Sequence, residues 1–322
     1  MKRHLAWMVA LAAALIVATA TFAEPEKAAS EKSEPQKVKV GLYVLSLGKL
    51  DVSSGTYTVD FYLQLDSDKP IPDSSFEFMN GLTNSLEKVE DTVTPEKAVA
   101  GEAQKFEKFY RIKATLNTPI DLRRFPFDRQ QMLIVIEDKT RTMEEVVYEA
   151  DDKASGLDPA IFFPGWDITG WTLQTPEHDY KVYDEKFSQL KYAIDIQRVR
   201  LNSFLKTFLP VIFLMLIVMA SFILDPEKIT TRLAAISSAL VASAMFHISI
   251  SGQIPAVGYL TFADKFMVLT YLLLLCSFFL SIRVFMLQGR NELEGAKKLN
   301  KLSEFLVLIG MPVLYLCLFL FC

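Results

Sequence analysis

Residues 230–255 read TTRLAAISSALVASAMFHISISGQIP, an apolar stretch that nevertheless carries five serines, Ser237, Ser238, Ser243, Ser249 and Ser251. A helix rises 1.5 Å per residue, so about 20 residues cross the hydrocarbon core and this stretch is long enough to span. Lipid alone gives no reason for the serines. Small hydroxyl residues suit either close helix packing or a face that meets water. Taken alone, the stretch leaves packing helix and pore wall open.

Its flanks change the solvent. Four apolar segments, 201–224, 230–252, 259–287 and 303–321, are each long enough to cross a membrane, with short linkers between them. The last linker and the end of the segment before it carry Arg283, Arg290, Lys297, Lys298 and Lys301, which the positive-inside rule puts in the cytoplasm. An even number of crossings then returns residues 38–200 and Cys322 to the outer side. Residues 1–23, basic, then apolar, then small at Ala23, read as a secretory signal, and 24–37 as a flexible lead-in. Together these predict a multi-pass protein of a bacterial-type cell membrane, with its polar domain extracellular or periplasmic.

Between Val38 and Arg200 the texture is that of strands. VKVGLYVLSL, TYTVDFYLQLD, EKFYRIKATL, QQMLIVIED, WDITGWTLQ and LKYAIDIQRVR place apolar or aromatic side chains at period two, broken by Gly, Pro, Asp and Ser. Strands at this spacing without long amphipathic helices predict an immunoglobulin-like β-sandwich over 38–200, followed by a four-helix transmembrane bundle over 201–322. Residues 83–104 are polar and carry little pattern.

Composition narrows the function. The chain has 322 residues, 51% of them hydrophobic, and a net charge of -4. Residues 38–200 hold 28 acidic against 20 basic side chains, so the sandwich is acidic, which speaks against nucleic acid and for attracting cations. The three cysteines, Cys276, Cys317 and Cys322, all lie in apolar segments and give neither a disulfide framework nor a thiolate metal cluster. No Gly-rich phosphate loop, nucleophile elbow or clustered His and carboxylate spacing points to an enzyme, and no cofactor is expected. Glu144, Glu145, Glu149, Asp151 and Asp152 form an acidic run that is either a solvated face or a modulatory calcium site.

One segment carries a family resemblance. Residues 118–132, TPIDLRRFPFDRQQM, set Phe125, Pro126 and Phe127 beside the carboxylate of Asp128, a stiff apolar knob with one charge. It resembles the signature loop of the pentameric ligand-gated ion channels, the Cys-loop receptor superfamily. Thr118 and Met132 stand where animal members have the two loop cysteines, as in prokaryotic members, so packing alone is expected to hold the knob. Phe78-Met79-Asn80, Gly165-Trp166-Asp167-Ile168, Arg198-Val199-Arg200, Pro210 and Ile254-Pro255 extend the resemblance in order along the chain.

The resemblance implies five identical subunits around a pore that passes ions, here monovalent cations, opened by a small-molecule or proton agonist. A helical stripe along the opening stretch selects Ala234, Ser238, Val241, Met245 and Ile248 as pore-lining, with Val241, Met245 and Ile248 as apolar rings able to close the pore by dewetting. Coupling to the gate is expected of Asp51, Phe125, Pro126, Phe127, Asp128, Arg200 and Pro255, with Asp128 pairing with Arg200 and Asp51 as a third member. The agonist site implied between neighbouring sandwiches would use Tyr62, Glu77, Phe78, Glu137, Tyr180, Tyr183 and Phe187. His247 lies beside the stripe and points to a neighbouring helix, as a satisfied structural histidine or a proton sensor. Arg232 reads as a helix-end anchor at the membrane interface. A non-conducting, membrane-anchored binding or sensor protein is the alternative, and the serine-bearing helix with its apolar rings favours the channel.

Overall fold

The computed structural model describes residues 34–73, 75–82, 87–88, 92–95 and 105–321. The expected signal peptide lies outside them. Among the described residues the sandwich has twelve strands: β1 (Gln36–Leu47), β2 (Thr56–Ser67), β3 (Phe76–Phe78), β4 (Glu87–Lys88), β5 (Thr92–Pro95), β6 (Phe106–Asn117), β7 (Arg129–Asp138), β8 (Val146–Ala150), β9 (Gly156–Leu157), β10 (Trp166–Gln174), β11 (Glu177–Tyr180) and β12 (Glu185–Arg198). One sheet runs β4-β6-β2-β1-β8, with β5 added to β6 and β9 to β1. The facing sheet runs β10-β12-β7-β3, with β11 on the end of β12.

Period-two patterning is realised in the core. Tyr57, Val59, Phe61, Leu63 and Leu65 of β2 are buried against Met132, Ile134 and Ile136 of β7 and Leu190, Tyr192, Ile194 and Ile196 of β12. Each such side chain contributes roughly 1.5–3 kcal/mol by leaving water, which outweighs the polar residues alternating with them. Asn80 ties the sheets together: its Nδ2 donates to the carbonyls of Asn117 (2.7 Å) and Leu133 (2.5 Å), and its Oδ1 accepts from Val135 N–H at 3.1 Å.

Below the sandwich run α1 (Arg200–Ile223), α2 (Ile229–Ser251), α3 (Phe262–Gly289), α4 (Leu293–Phe305) and α5 (Met311–Phe321), the last two joined by a π-helical turn at Leu306–Gly310. Four helical runs are long and apolar enough to cross a membrane, the fourth spanning Leu293–Leu320. Element boundaries differ from the sequence reading. The first strand starts at Gln36, inside the expected lead-in 24–37, because Gln36 is buried and its Nε2 donates to Ser67 Oγ at 2.9 Å. The third helix starts at Phe262 because Thr261 and Asp264 form a capping box, each side chain bonding the other's backbone N–H. The fourth starts at Leu293, so Lys297, Lys298 and Lys301 sit on α4 rather than in a linker. Its buried stripe, Ala296, Asn300 and Ser303, is small or polar, and hydropathy does not register it.

Candidate functional site

The knob closes the gap between sandwich and helices. Leu122 and Phe125 are buried in the helical core with Phe208, Phe262 and Phe266, and the Phe125-Pro126 bond is cis. Phe127 stacks on Phe208 with ring centroids 5.8 Å apart and meets Phe262 at 5.7 Å. The backbone does as much as the side chains. The N–H groups of Phe262 and Ala263, two of those that a helix start leaves unpartnered, donate to the carbonyls of Arg123 (2.9 Å) and Phe125 (3.0 Å). Leu122 N–H donates to Tyr259 Oη at 2.9 Å, and the Arg123 guanidinium lies 4.8 Å from the Tyr259 ring.

Packing is not alone in holding the loop. Thr118 Oγ1 donates to the carbonyl of Gln131 at 2.5 Å, fastening the two ends where the animal receptors would use a disulfide. Gln130 ties the interior, its Nε2 donating to Asp121 O at 2.7 Å and its Oε1 accepting from Asp121 N–H at 3.1 Å. Hydrogen bonds from Arg123, backbone first, hold the Asp121 carboxyl below the usual carboxylate range.

Asp128 is buried, and its partner is Arg198, not Arg200. Arg198 Nε donates to Oδ1 at 2.8 Å and Nη2 to Oδ2 at 3.2 Å, while Gln130 Nε2 adds a bond to Oδ2 at 2.9 Å. The guanidinium lies 4.4 Å from the Trp166 ring and 5.1 Å from Phe125. Arg198 is the last residue of β12, whereas Arg200 has already entered α1, is exposed, and reaches only Gln197 Oε1 at 3.4 Å. Asp51 is not a third member. Its oxygens accept from Ser53 N–H (2.9 Å), Ser53 Oγ (2.6 Å) and Ser54 Oγ (2.9 Å) within its own turn, and the Ser53 bonds keep its carboxyl below the usual range. The same turn reaches the helical core through Val52 instead. Gly55 makes the turn possible: its φ is +72, and a Cβ there would lie 2.2 Å from the Thr118 carbonyl. Pro255 is half-buried, between Ile254 and Val257, which pack on the helical core.

Within the chain α2 is half wrapped. Ile229, Arg232, Ile236, Ala239, Ser243 and Ile250 are buried against its neighbours. Ala234, Ser238, Val241, Met245 and Ile248 all lie on the opposite, exposed face, the last three 64%, 67% and 72% exposed. Arg232 departs from the interfacial anchor expected of it. It is buried, donating to the carbonyls of Ser221 (3.2 Å) and Leu224 (3.3 Å) and to Asn300 Oδ1 (2.8 Å), with Phe222 4.5 Å beneath. A cation set on the carbonyl end of α1 is favourably placed. His247 does reach a neighbouring helix: Nδ1 lies 3.0 Å from Tyr271 Oη and Nε2 3.2 Å from Asp264 Oδ1, both on α3.

The hairpin side of the sandwich assembles a further cluster. Glu137 is buried and its oxygens meet His178 Nδ1 (2.5 Å), Gln189 Nε2 (2.5 Å) and Tyr180 Oη (3.1 Å). Burial first, then the Glu137 charge, raises the Tyr180 pKa. Phe187 meets Tyr180 edge-on at 5.5 Å. Glu77 is exposed on β3, directly across from Glu137 in the register. The remaining implied agonist residues are elsewhere: Phe78 packs on Phe61 and Phe76, Tyr62 lies on β2 against Phe109, and Tyr183 is exposed in the hairpin turn. His178 and Gln189 were not anticipated; the signal for His178 was its parity with Tyr180 on β11. The acidic run disperses, with Glu149 pairing with Lys37 at 2.9 Å and Asp151 capping the turn at Lys153.

No family model matches the chain. It is 24% identical over 261 residues to a proton-gated ion channel of Gloeobacter violaceus, covering 74% of this chain and 70% of that one. It is 23% identical over 158 residues to a serotonin-gated chloride channel of Caenorhabditis elegans, and 22% identical over 164 residues to a gamma-aminobutyric acid receptor subunit beta of Lymnaea stagnalis. Each of these two matches covers about half of this chain but 32% of the relative.

Proposed function

From the membership of this chain in the pentameric ligand-gated ion channel superfamily, we propose that five copies surround an axial, cation-conducting pore walled by α2. The exposed face of α2 carries this reading. It is small and hydroxylated at Ala234 and Ser238 and apolar at Val241, Met245 and Ile248. Five such faces around an axis form a wettable lower section and three apolar rings, and an apolar constriction blocks ions by expelling water before its walls touch. Val241, nearest the wettable section, is the first ring to act as the gate.

Cation passage is supported by where the charges lie. Arg232 is turned into the subunit and adds no positive ring, the hydroxyls of Thr230 and Thr231 are exposed in the first turn of α2, and the 3-10 turn before it exposes Glu227 beside Lys228, which together add no net charge. The acidic sandwich above raises the local cation concentration. Recording reversal potentials from purified protein in liposomes under a sodium chloride gradient tests this. A potential near the sodium equilibrium value is expected; one near chloride overturns the selectivity, and no current under any trigger overturns the channel.

The trigger supported best is the proton. Glu137, the buried carboxylate of the implied agonist site, is already engaged by three donors of its own subunit, so an amine agonist would be left with the exposed Glu77. Protonating His178 strengthens its bond to Glu137 and so the tie between β11 and β7. Current evoked by pH steps, lost in His178→Phe, is the expected result; equal pH responses in the two overturn the role of this pair.

A further inference from the structure

Arg232 is a buried cation without an anion. It is 1% exposed, and among the described residues no carboxylate pairs with it; Glu304, one helical turn beyond Asn300 on α4, acts on it only from a distance. Each guanidinium nitrogen instead reaches one uncharged oxygen. Nε donates to the Ser221 carbonyl (3.2 Å) and Nη2 to that of Leu224 (3.3 Å), both at the end of α1, while Nη1 donates to Asn300 Oδ1 on α4 at 2.8 Å. A buried charge is costly unless fully bonded, and neutral acceptors repay that cost less well than a carboxylate does. The guanidinium is therefore poised between this pocket and water.

Water is close by. Thr230 and Thr231, directly before Arg232, and Ala234, two residues after it, are exposed, so Arg232 stands on the buried flank of a helix start whose other flank is open. An arginine stem is long enough to carry its head from one flank to the other. What keeps the head inside is the shortest of its three bonds and the one made to a side chain, Asn300. That residue is 7% exposed, and its neighbours on the buried stripe of α4, Ala296 and Ser303, are small. Without the amide, Nη1 is left unsatisfied in a dry pocket, and an unmet donor on a charged group costs more than one on a neutral group.

We propose that Asn300 is a positioning residue for ion selectivity: by holding the Arg232 guanidinium inside the subunit, it keeps a ring of positive charge out of the pore mouth at Thr230 and Thr231. This rests on the reading of α2 as the wall of a cation-passing pore. The fourth membrane helix, which lends no side chain to the exposed stripe of α2, thereby acts on which ions enter. A ring of guanidiniums at the mouth repels cations and gathers anions.

The test compares the full chain with N300L, which keeps the volume but has no acceptor, and with N300L/R232Q. Purified protein is treated with phenylglyoxal, which modifies accessible guanidiniums, and the modified arginines are read by peptide mass. In the unaltered chain Arg232 should stay unmodified while the exposed Arg283 and Arg290 react. Its modification should rise at least about tenfold in N300L, the population shift that loss of one hydrogen bond to a charged group gives. In liposomes under a sodium chloride gradient, the sodium-to-chloride permeability ratio should fall about fivefold in N300L and recover in N300L/R232Q. Labelling of Arg232 in the unaltered chain at the rate of Arg290, equal labelling with and without Asn300, or a permeability change that persists in the double variant overturns the proposal. An unaltered chain that passes no current overturns the reading of α2, and the labelling then still decides whether Asn300 buries Arg232. Should N300L not assemble, N300A removes the same acceptor and is read in the same two assays.

Discussion

Replacing Arg198 by Gln removes the partner of a carboxylate whose side chain is 1% exposed. Truncating one side of a buried ion pair costs about 3–5 kcal/mol because the other charge stays desolvated. Two features of the site set the value within that range. The Arg198 side chain keeps 19% of its surface, so water reaches the pair, and Gln130 Nε2 still donates to Asp128 at 2.9 Å after the change. Both pull the cost to the lower end. Loss of the Trp166 and Phe125 ring contacts adds about 1 kcal/mol, which brings the expected total to about 3–4 kcal/mol. At 2–4 °C per kcal/mol for a domain of this size, the thermal midpoint should fall by roughly 6–16 °C. Arg200→Gln, an exposed change, should stay within about 0.5 kcal/mol.

Tryptophan emission suits the measurement, since Trp166 lies against the guanidinium. Arg198→Lys should recover less than half of the loss, because an ammonium cannot serve both oxygens and stack on the rings. A cycle with Asp128→Asn should give a coupling above about 1.5 kcal/mol. Equal effects of Arg198→Gln and Arg200→Gln, or additivity in the cycle, would refute the assignment of Arg198 as the partner.

Val241→Ala should leak at rest or open more easily in single-channel recordings, and unchanged gating moves the gate to Met245 or Ile248. Thr118→Val keeps the shape but loses the bond that joins the loop ends, and denaturant unfolding should show a loss of about 1 kcal/mol. Burial raises the pKa values of Tyr57 and Tyr192, whose hydroxyls donate to the carbonyls of Leu133 and Gly156. Their stability contribution is therefore complete below the unfolded tyrosine value, about 10, and is lost as pH rises above it, so the thermal midpoint should fall above pH ~10 and fall less in Tyr192→Phe.

What the sequence revealed and what it hid follow from the range of the interactions. Strands and membrane helices were legible because alternation and hydropathy are local, and the exposed stripe of α2 because a helix repeats at fixed angle. Arg198 and Arg200 were not separable: they share strand parity, and only the change to helix at Arg200 decides which one faces Asp128. The Glu137 cluster gathers residues 41 to 52 positions away, and no local pattern encodes that. Arg232 looked interfacial because its partners are two backbone carbonyls and an asparagine, which leave no charge pattern to find.

The sandwich and the proposed gate are joined by one unbroken set of short contacts. Arg198 fixes Asp128 at the base of the loop, and the loop's carbonyls at Arg123 and Phe125 take the first N–H groups of α3. In the next position of that same helical turn Asp264 reaches His247 on α2, between Met245 and Ile248 of the exposed stripe. The loop therefore acts as part of the cap of α3, and a displacement of the loop must either carry the start of α3 with it or leave two backbone N–H groups unsatisfied in a poorly hydrated place. Each N–H left unsatisfied there costs about 1–3 kcal/mol. For the channel proposed above, these contacts offer a route by which movement of the sandwich base would pass to α3 and, through Asp264 and His247, to α2, without any charge having to change partner at the boundary.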